Sequence, residues 1–386
     1  MKRPHLVHFL SIITDEYIAI KASVTMKENS LAQGNNPVDL EKLAPSFPIQ
    51  AFRLLNAYEF KLKIVGLDEN QNEIYKKVFD SDSYGNFNFK IPLRDETGDV
   101  VILQLYEIGK EPGLEIHLGT AIPLKITDPK KIVICDFDKT LVDTRYSTTR
   151  EVYNSLTKPL DSFPTLVKSV DILQAVIREG YHPFILSASP HFYEDAMRDW
   201  LYQNHIYTAG IFLKDYRKIF SFLEADLTPK DLKIQGLYKL NHLLDILLMT
   251  GIPRELVLMG DNFESDPIIY LTMAMVLKQD HEPWKLWKIV KSQDSFQLNK
   301  KQNSQFLNKI YQLNNMITRL DYEPSLKIYI RKKAMETQIK VPHAFEGRLP
   351  LIELYDGMPL LAKQDTGGEK DDITDAKIES HPVESN

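Results

Sequence analysis

Apolar and polar residues alternate through the first third of the chain. Phe60, Leu62 and Ile64 occupy every second position, and so do Phe87, Phe89 and Ile91. That period belongs to a strand with one buried face. Turn-forming clusters separate the runs, among them Asp82-Ser83-Tyr84-Gly85-Asn86 and Asp95-Glu96-Thr97-Gly98-Asp99. Short strands at this spacing predict an all-β sandwich over residues 1–127, with a long loop across 27–48.

The pattern changes at Asp128-Pro129. Ile132-Val133-Ile134-Cys135 is an unbroken apolar run, and similar short runs follow at 183–186, 210–213 and 256–259. Helical spacing lies between them at 166–178 and 192–203, and again at 268–277. Buried strands alternating with amphipathic helices predict a parallel sheet covered on both faces, which collects chemistry at the carboxyl ends of its strands. A polar helical stretch over 284–320 places Phe306, Ile310, Leu313, Ile317 and Leu320 at helical intervals, and a strand at 326–330 is expected to complete the sheet. The expected layout is thus a β-sandwich, then an α/β domain over 128–335 with a helical insertion at about 281–322. A C-terminal extension over 336–386 follows, polar and disordered from about residue 363.

The 386 residues suit two domains and a tail. A net charge of −6 argues against a general nucleic-acid binder, so attraction to anions requires a local basic patch. Cys135 is the single cysteine, which leaves no internal disulfide and no Cys/His zinc cluster. A reducing, cytoplasmic setting is expected. The opening apolar run is short and meets Asp15 and Glu16 at once, so it does not read as a secretion signal. No apolar stretch approaches the ~20 residues of a membrane span, although contact with a membrane surface is compatible with the chain.

Candidate chemistry begins where the first buried strand ends, at Asp136-Phe137-Asp138-Lys139-Thr140. If strand geometry persisted, Asp136 and Asp138 would share a face. Two carboxylates that close repel, and a divalent cation relieves the repulsion; Mg²⁺ suits all-oxygen ligands. The pair can divide the work of ester hydrolysis, one attacking phosphorus and the other handling protons. Asp-x-Asp pairs also occur by chance in loops. Ser187 ends the second run and either binds a phosphoryl oxygen or caps a helix, a role for which Ser189 is better placed. Lys239, on a helical stretch at 237–249, offers a cation, but a lone helical lysine is usually solvated. The last short run ends in Gly260-Asp261, with Asp266 before Pro267. Gly260 permits a tight turn and Asp261 would complete the metal's protein ligands. Asp266 either binds metal through water or caps the next helix.

In this order the pieces resemble the haloacid-dehalogenase phosphatase superfamily: Asp-x-Asp-x-Thr after strand one, Ser after strand two, a helix-borne Lys, then paired acids. The resemblance implies a Rossmann-like domain in which Asp136 is the nucleophile and Asp138 the general acid/base. Ser187 and Lys239 would hold the phosphoryl group. Mg²⁺ would be bound by Asp136, Asp261 and the backbone carbonyl of Asp138, with Asp266 close by. The local text is most similar to the phosphatidate phosphatase catalytic domain of fungal actin-patch proteins and bacterial relatives, with lipins more distant. It is carried by Ser187-Ala188-Ser189-Pro190, Phe212-Leu213-Lys214-Asp215-Tyr216-Arg217, Tyr238-Lys239, Gly260-Asp261 through Asp266-Pro267-Ile268-Ile269-Tyr270, and Ile328-Tyr329-Ile330-Arg331, over about 128–333. Relatives usually carry an acid where Lys139 stands, and the polar helical insertion is extra.

The resemblance implies phosphatidate as substrate, met at a membrane surface. The intervals 140–163 and 187–239 leave room for only a minimal cap, so the site would admit a lipid headgroup or a phosphoprotein. Arg145, Arg150, Lys214, Arg217 and Lys218 either attract such anions or are ordinary solvated charges. Trp284 and Trp287 with Lys285, Lys288 and Lys291 form a basic aromatic stretch that either lies in a membrane interface or packs on the domain. Cys135 reads as buried filling. The rivals to a lipid phosphatase are a phosphatase for a soluble phosphomonoester or phosphoprotein, and a catalytically silent module that binds anionic lipid. The second would be signalled by loss of the catalytic acids, both of which are present.

Overall fold

The chain enters the fold as a strand. Lys2–Ile13 forms β1 and turns at once into an antiparallel partner, β2 (Tyr17–Glu28). The turn is held by the Thr14 hydroxyl, which accepts from the amides of Glu16 and Tyr17 at 3.2 Å each. The structure, a computed structural model, describes residues 2–28, 58–94, 97–144, 160–190, 193–214, 236–263, 265–293, 296, 300–332 and 339–357. The loop expected over 27–48 therefore lies outside the described residues from position 29 on. So do Arg145, Arg150, Arg217, Lys218 and the expected disordered tail.

Six further strands complete the N-terminal part: β3 (Lys61–Leu67), β4 (Glu73–Asp80), β5 (Asn86–Pro92), β6 (Ile102–Glu107), β7 (Ile116–Ala121) and β8 (Leu124–Lys125). They form two four-stranded sheets, ordered β5-β2-β1-β8 and β4-β3-β6-β7, antiparallel apart from the short β1/β8 pair. Ile18, Ile20, Ala22 and Val24 of β2 meet Leu62, Ile64, Leu103 and Leu105 of the other sheet in one apolar core. The alternate residues Tyr17 and Ala19, with Leu10 and Ile12 of β1, join a different core that belongs to the α/β part. The β1–β2 sheet is thus buried on both faces, and apolar burial on its second face joins the two halves of the molecule.

The α/β part runs β9 (Lys131–Asp136), α1 (Val167–Arg178), β10 (His182–Pro190), α2 (Glu194–Gln203), β11 (Gly210–Lys214), α3 (Gly236–Thr250), β12 (Glu255–Asp261), α4 (Asp266–Leu277), α5 (Pro283–Lys291), α6 (Lys300–Ile317), β13 (Ser325–Arg331) and β14 (Ile352–Tyr355). All its strands are parallel, in the order β11-β10-β9-β12-β13-β14. Residues of α1 and α2 cover one face, and those of α3 to α6 the other together with the β1–β2 sheet. The sheet does not end at β13. A sixth strand arises inside the segment expected to be an extension, because four residues are too few to show a strand period and need β13's open edge to pair with.

The polar helical stretch is two helices. Phe306, Ile310, Leu313 and Ile317 of α6 are buried, as their spacing predicts, and α6 contacts α3, α4 and α5. In α5, Leu286 and Val290 are buried while Trp284 faces outward, with the Lys288 ammonium 4.7 Å from its ring centroid. The basic aromatic stretch is thus a helix packed on the domain. Among the described residues, no helix is long and apolar enough to cross a membrane.

A charged joint reinforces the contact between the halves. Asp245 on α3 lies 2.7 Å from Lys309 Nζ of α6 and 3.5 Å from Lys21 Nζ of β2. Burial raises the Asp245 pKa, but the charges of Lys309, Lys21 and His242 outweigh it and hold the carboxyl at about 2 against an ordinary 3.8. A carboxyl depressed on folding adds stability above its unfolded pKa, and that stability is lost as pH falls through the folded value. Asp245→Asn is therefore expected to cost about 2 kcal/mol near neutral pH. The difference from wild type should be full above about pH 4 and shrink towards pH 2, as urea unfolding across that range would show. A deficit that does not change with pH would mean that the joint is not electrostatic.

Candidate active site

The site forms where β9, β10 and β12 end, next to one another in the sheet. Ile132 to Cys135 are fully buried, so β9 delivers Asp136 to the carboxyl edge without solvent exposure. Leu186 of β10 is in register with Asp136, and the Phe137 amide donates to the Leu186 carbonyl at 2.9 Å. The strand then stops. Lys139 adopts a left-handed φ of 60°, and the Leu141 amide returns to the Phe137 carbonyl at 2.9 Å. This turn brings Thr140 back over the strand end, where its hydroxyl donates to Asp136 Oδ2 at 3.2 Å.

Because the strand ends at Asp136, the two aspartates acquire different surroundings. Asp138 Oδ2 accepts from the Ser187 hydroxyl at 2.6 Å, and Oδ1 from Thr144 at 3.2 Å. Ser187 Oγ also accepts the Ser189 amide at 3.0 Å. β10 continues to Pro190 and α2 starts at Glu194 with Tyr193 at its N-cap, so neither Ser187 nor Ser189 caps a helix. Tyr238 braces this corner from α3, its hydroxyl donating to the carbonyls of Ser187 and Phe212.

Lys239, 1% exposed, is not a solvated helical lysine. Its ammonium lies 2.8 Å from Asp136 Oδ1 and 2.7 Å from Asp266 Oδ1. The other oxygen of Asp266 accepts the Asp261 amide at 3.2 Å, so this carboxylate fixes both the lysine and the turn after β12. The N-cap of α4 is Ser265, and Asp266 is the helix's first residue, with its carboxylate on Lys239 and the Asp261 amide. Gly260 is required by close approach: a Cβ there would stand 2.4 Å from Asp266 Oδ2 and 2.7 Å from the Tyr270 ring. Tyr270 closes the floor, donating to the Met259 carbonyl at 2.7 Å.

Asp136, Asp261 and Asp266 are fully buried, and one carboxylate oxygen from each lies within 4.8 Å of the others. The Lys239 ammonium pairs with two of them, Asp136 and Asp266, in a low-dielectric setting, where uncompensated charge is costly. An all-oxygen, acid-rich set fits a hard divalent cation. The Asp138 carboxylate is not one of this group. Burial and the negative charges of Asp136 and Asp266 push the Cys135 thiol well up, which keeps it protonated as core filling.

Every predicted site residue, Asp136, Asp138, Ser187, Lys239, Asp261 and Asp266, thus converges on one edge of the sheet. Sequence reasoning assigned nothing to Thr140, although it ends the first motif, nor to Thr144 or Arg331. Of Thr144 the sequence carries no signal. Arg331 had one, as the last residue of the strand beside β12.

Comparison with known proteins gives a family match. The family model described as "Phosphatidate phosphatase APP1, catalytic domain" matches residues 131–280. No curated protein matches significantly. Among solved structures, the Pnkp1/Rnl/Hen1 complex is 18% identical with a TM-score of 0.24, over 40% of this chain and 49% of that one. The chain thus spans about half the length of that solved chain. A β-glucuronidase of Bifidobacterium dentium, complexed with coumarin-3-O-glucuronide, is 9% identical with a TM-score of 0.24, over 86% of this chain and 44% of that one. Residues 131–280 are thus similar to the phosphatidate phosphatase APP1 catalytic domain.

Proposed function

We propose that the chain is a Mg²⁺-dependent phosphohydrolase of the haloacid-dehalogenase type, removing phosphate from phosphatidate to leave diacylglycerol. The family supports a phosphatase, and the observation that carries the mechanism is the division of surroundings between the two aspartates. Asp136 lies against Lys239 and Thr140, aimed from the strand end. Asp138 lies against the hydroxyls of Ser187 and Thr144.

In the first step Asp136 attacks phosphorus and the P–O bond to the glycerol oxygen breaks, leaving an aspartyl phosphate. Asp138 gives its proton to the departing alkoxide, and then takes one from the water that attacks phosphorus and frees Asp136. Ser187 and Lys239 hold the phosphoryl oxygens as charge develops on them. Asp136, Asp261 and the carbonyl of Asp138 would hold Mg²⁺, with Asp266 supporting it through water. Bound there, the ion would neutralise phosphate charge and hold its oxygens in line.

Phosphate release from phosphatidate in mixed micelles, beside a panel of soluble phosphomonoesters, tests the substrate. Release should require Mg²⁺, fall to background in EDTA and return when Mg²⁺ is restored. Release only from soluble esters would keep the mechanism and remove the lipid. Release that survives EDTA would remove the metal, and no release from any ester would bring forward a silent, lipid-binding module.

A further inference from the structure

Arg331 ends β13 in register with Asp261, and only 5% of it is exposed. Its side chain reaches past the end of β12 to the turn after β9. There Nη1 donates to the Lys139 carbonyl at 2.6 Å, while Nη1 and Nη2 lie 3.3 and 3.4 Å from Asp143 Oδ1. Nε donates to the Gly357 carbonyl, beyond β14, at 3.0 Å. The backbone carbonyl of Arg331 accepts the Asn262 amide at 3.0 Å, and its guanidinium lies 5.1 Å from the Phe263 ring centroid. One residue thus ties the segments that follow β9, β12 and β14.

The point of attachment on the first segment gives this tie its meaning. Lys139 stands between Asp138 and Thr140 in a left-handed conformation that non-glycine residues seldom adopt. Such a shape persists where the surroundings over-determine it. The rigid donor fork of an arginine does so here, bridging a carbonyl and a carboxylate of one turn. Room for it is built in at Gly357, where a Cβ would stand 3.1 Å from Arg331 Cδ and Nε.

We propose that Arg331 is a positioning residue: by holding the Lys139 peptide it sets the orientation in which Asp138 protonates the leaving alkoxide. The inference rests on the phosphohydrolase reading above. Lysine at 331 keeps the charge but cannot bridge the same partners, and Asn at 143 removes the carboxylate end of the bridge.

The test compares kcat/KM on a short-chain phosphatidate, whose alkoxide needs a proton, and on p-nitrophenyl phosphate, whose leaving group does not. Arg331→Lys should lower kcat/KM on phosphatidate by about 10²-fold, and on p-nitrophenyl phosphate by no more than about 10-fold. Asp143→Asn should shift the ratio in the same direction by a smaller factor. The ratio of the two esters is independent of the folded fraction, so a merely unstable variant cannot reproduce it. Equal losses on both esters, or no loss on either, would overturn the positioning role while leaving the phosphohydrolase intact. A wild-type protein inactive on both esters would remove the phosphohydrolase reading, and this role with it.

Discussion

Asp136→Asn should lower phosphate release by about 10⁴-fold or more, the loss expected when a nucleophile is removed from a unit that acts together. The amide is nearly the same size, so the buried position beneath Thr140 remains filled. What it lacks is the anionic oxygen that the proposed mechanism bonds to phosphorus. Stability should move the other way. Asp136 is one of three clustered buried carboxylates, and neutralising it relieves repulsion while Asp266 keeps the lysine paired. The variant should therefore melt at or above the wild-type temperature, as active-site charges are often held at a cost in stability. Inactivity together with a lower melting temperature would make Asp136 a structural acid and sink the assignment.

The second large effect is expected at Lys239. Lys239→Met removes the cation between Asp136 and Asp266 and leaves two buried carboxylates facing each other. Breaking a buried pair from one side typically costs about 3–5 kcal/mol. Activity should fall by about 10²–10³-fold, because the charge that the proposed mechanism sets against the transferring phosphoryl group is gone. The informative readout is the interaction with metal. On the proposed function Mg²⁺ would bind the folded acid cluster and not the unfolded chain, so it should raise the melting temperature of the variant more than that of wild type. The same Mg²⁺ response in both proteins would show that the lysine and the metal do not share the carboxylates.

Much of the site was legible in the sequence for a simple reason. A strand buried on both faces reads as an unbroken apolar run, and the polar residues that end such runs mark the sheet's carboxyl edge. Ile132–Cys135 before Asp136, Phe184–Leu186 before Ser187 and Leu256–Met259 before Gly260 are each of this kind. Lys239 could not be found this way. Its helix is apolar around most of its circumference, and nothing in its neighbours says which side meets the acids; the family resemblance supplied it. The partition of Asp136 from Asp138 was equally hidden, because it depends on the strand stopping at 136 and on Lys139 turning left-handed.

Local pattern alone determined where strands and helices alternate, which runs are buried, and which acids stand at strand ends, since each follows from a period of a few residues. Contacts between distant segments were decided only by the tertiary structure. β14 exists because β13 offers it an edge, and β1 and β2 carry a second apolar face because the α/β part covers it. The reach of Arg331 from β13 to Lys139 spans 192 positions of sequence. Periodicity records the side of an element that is buried, but not the partner that buries it, and the partner settles how these side chains are aimed.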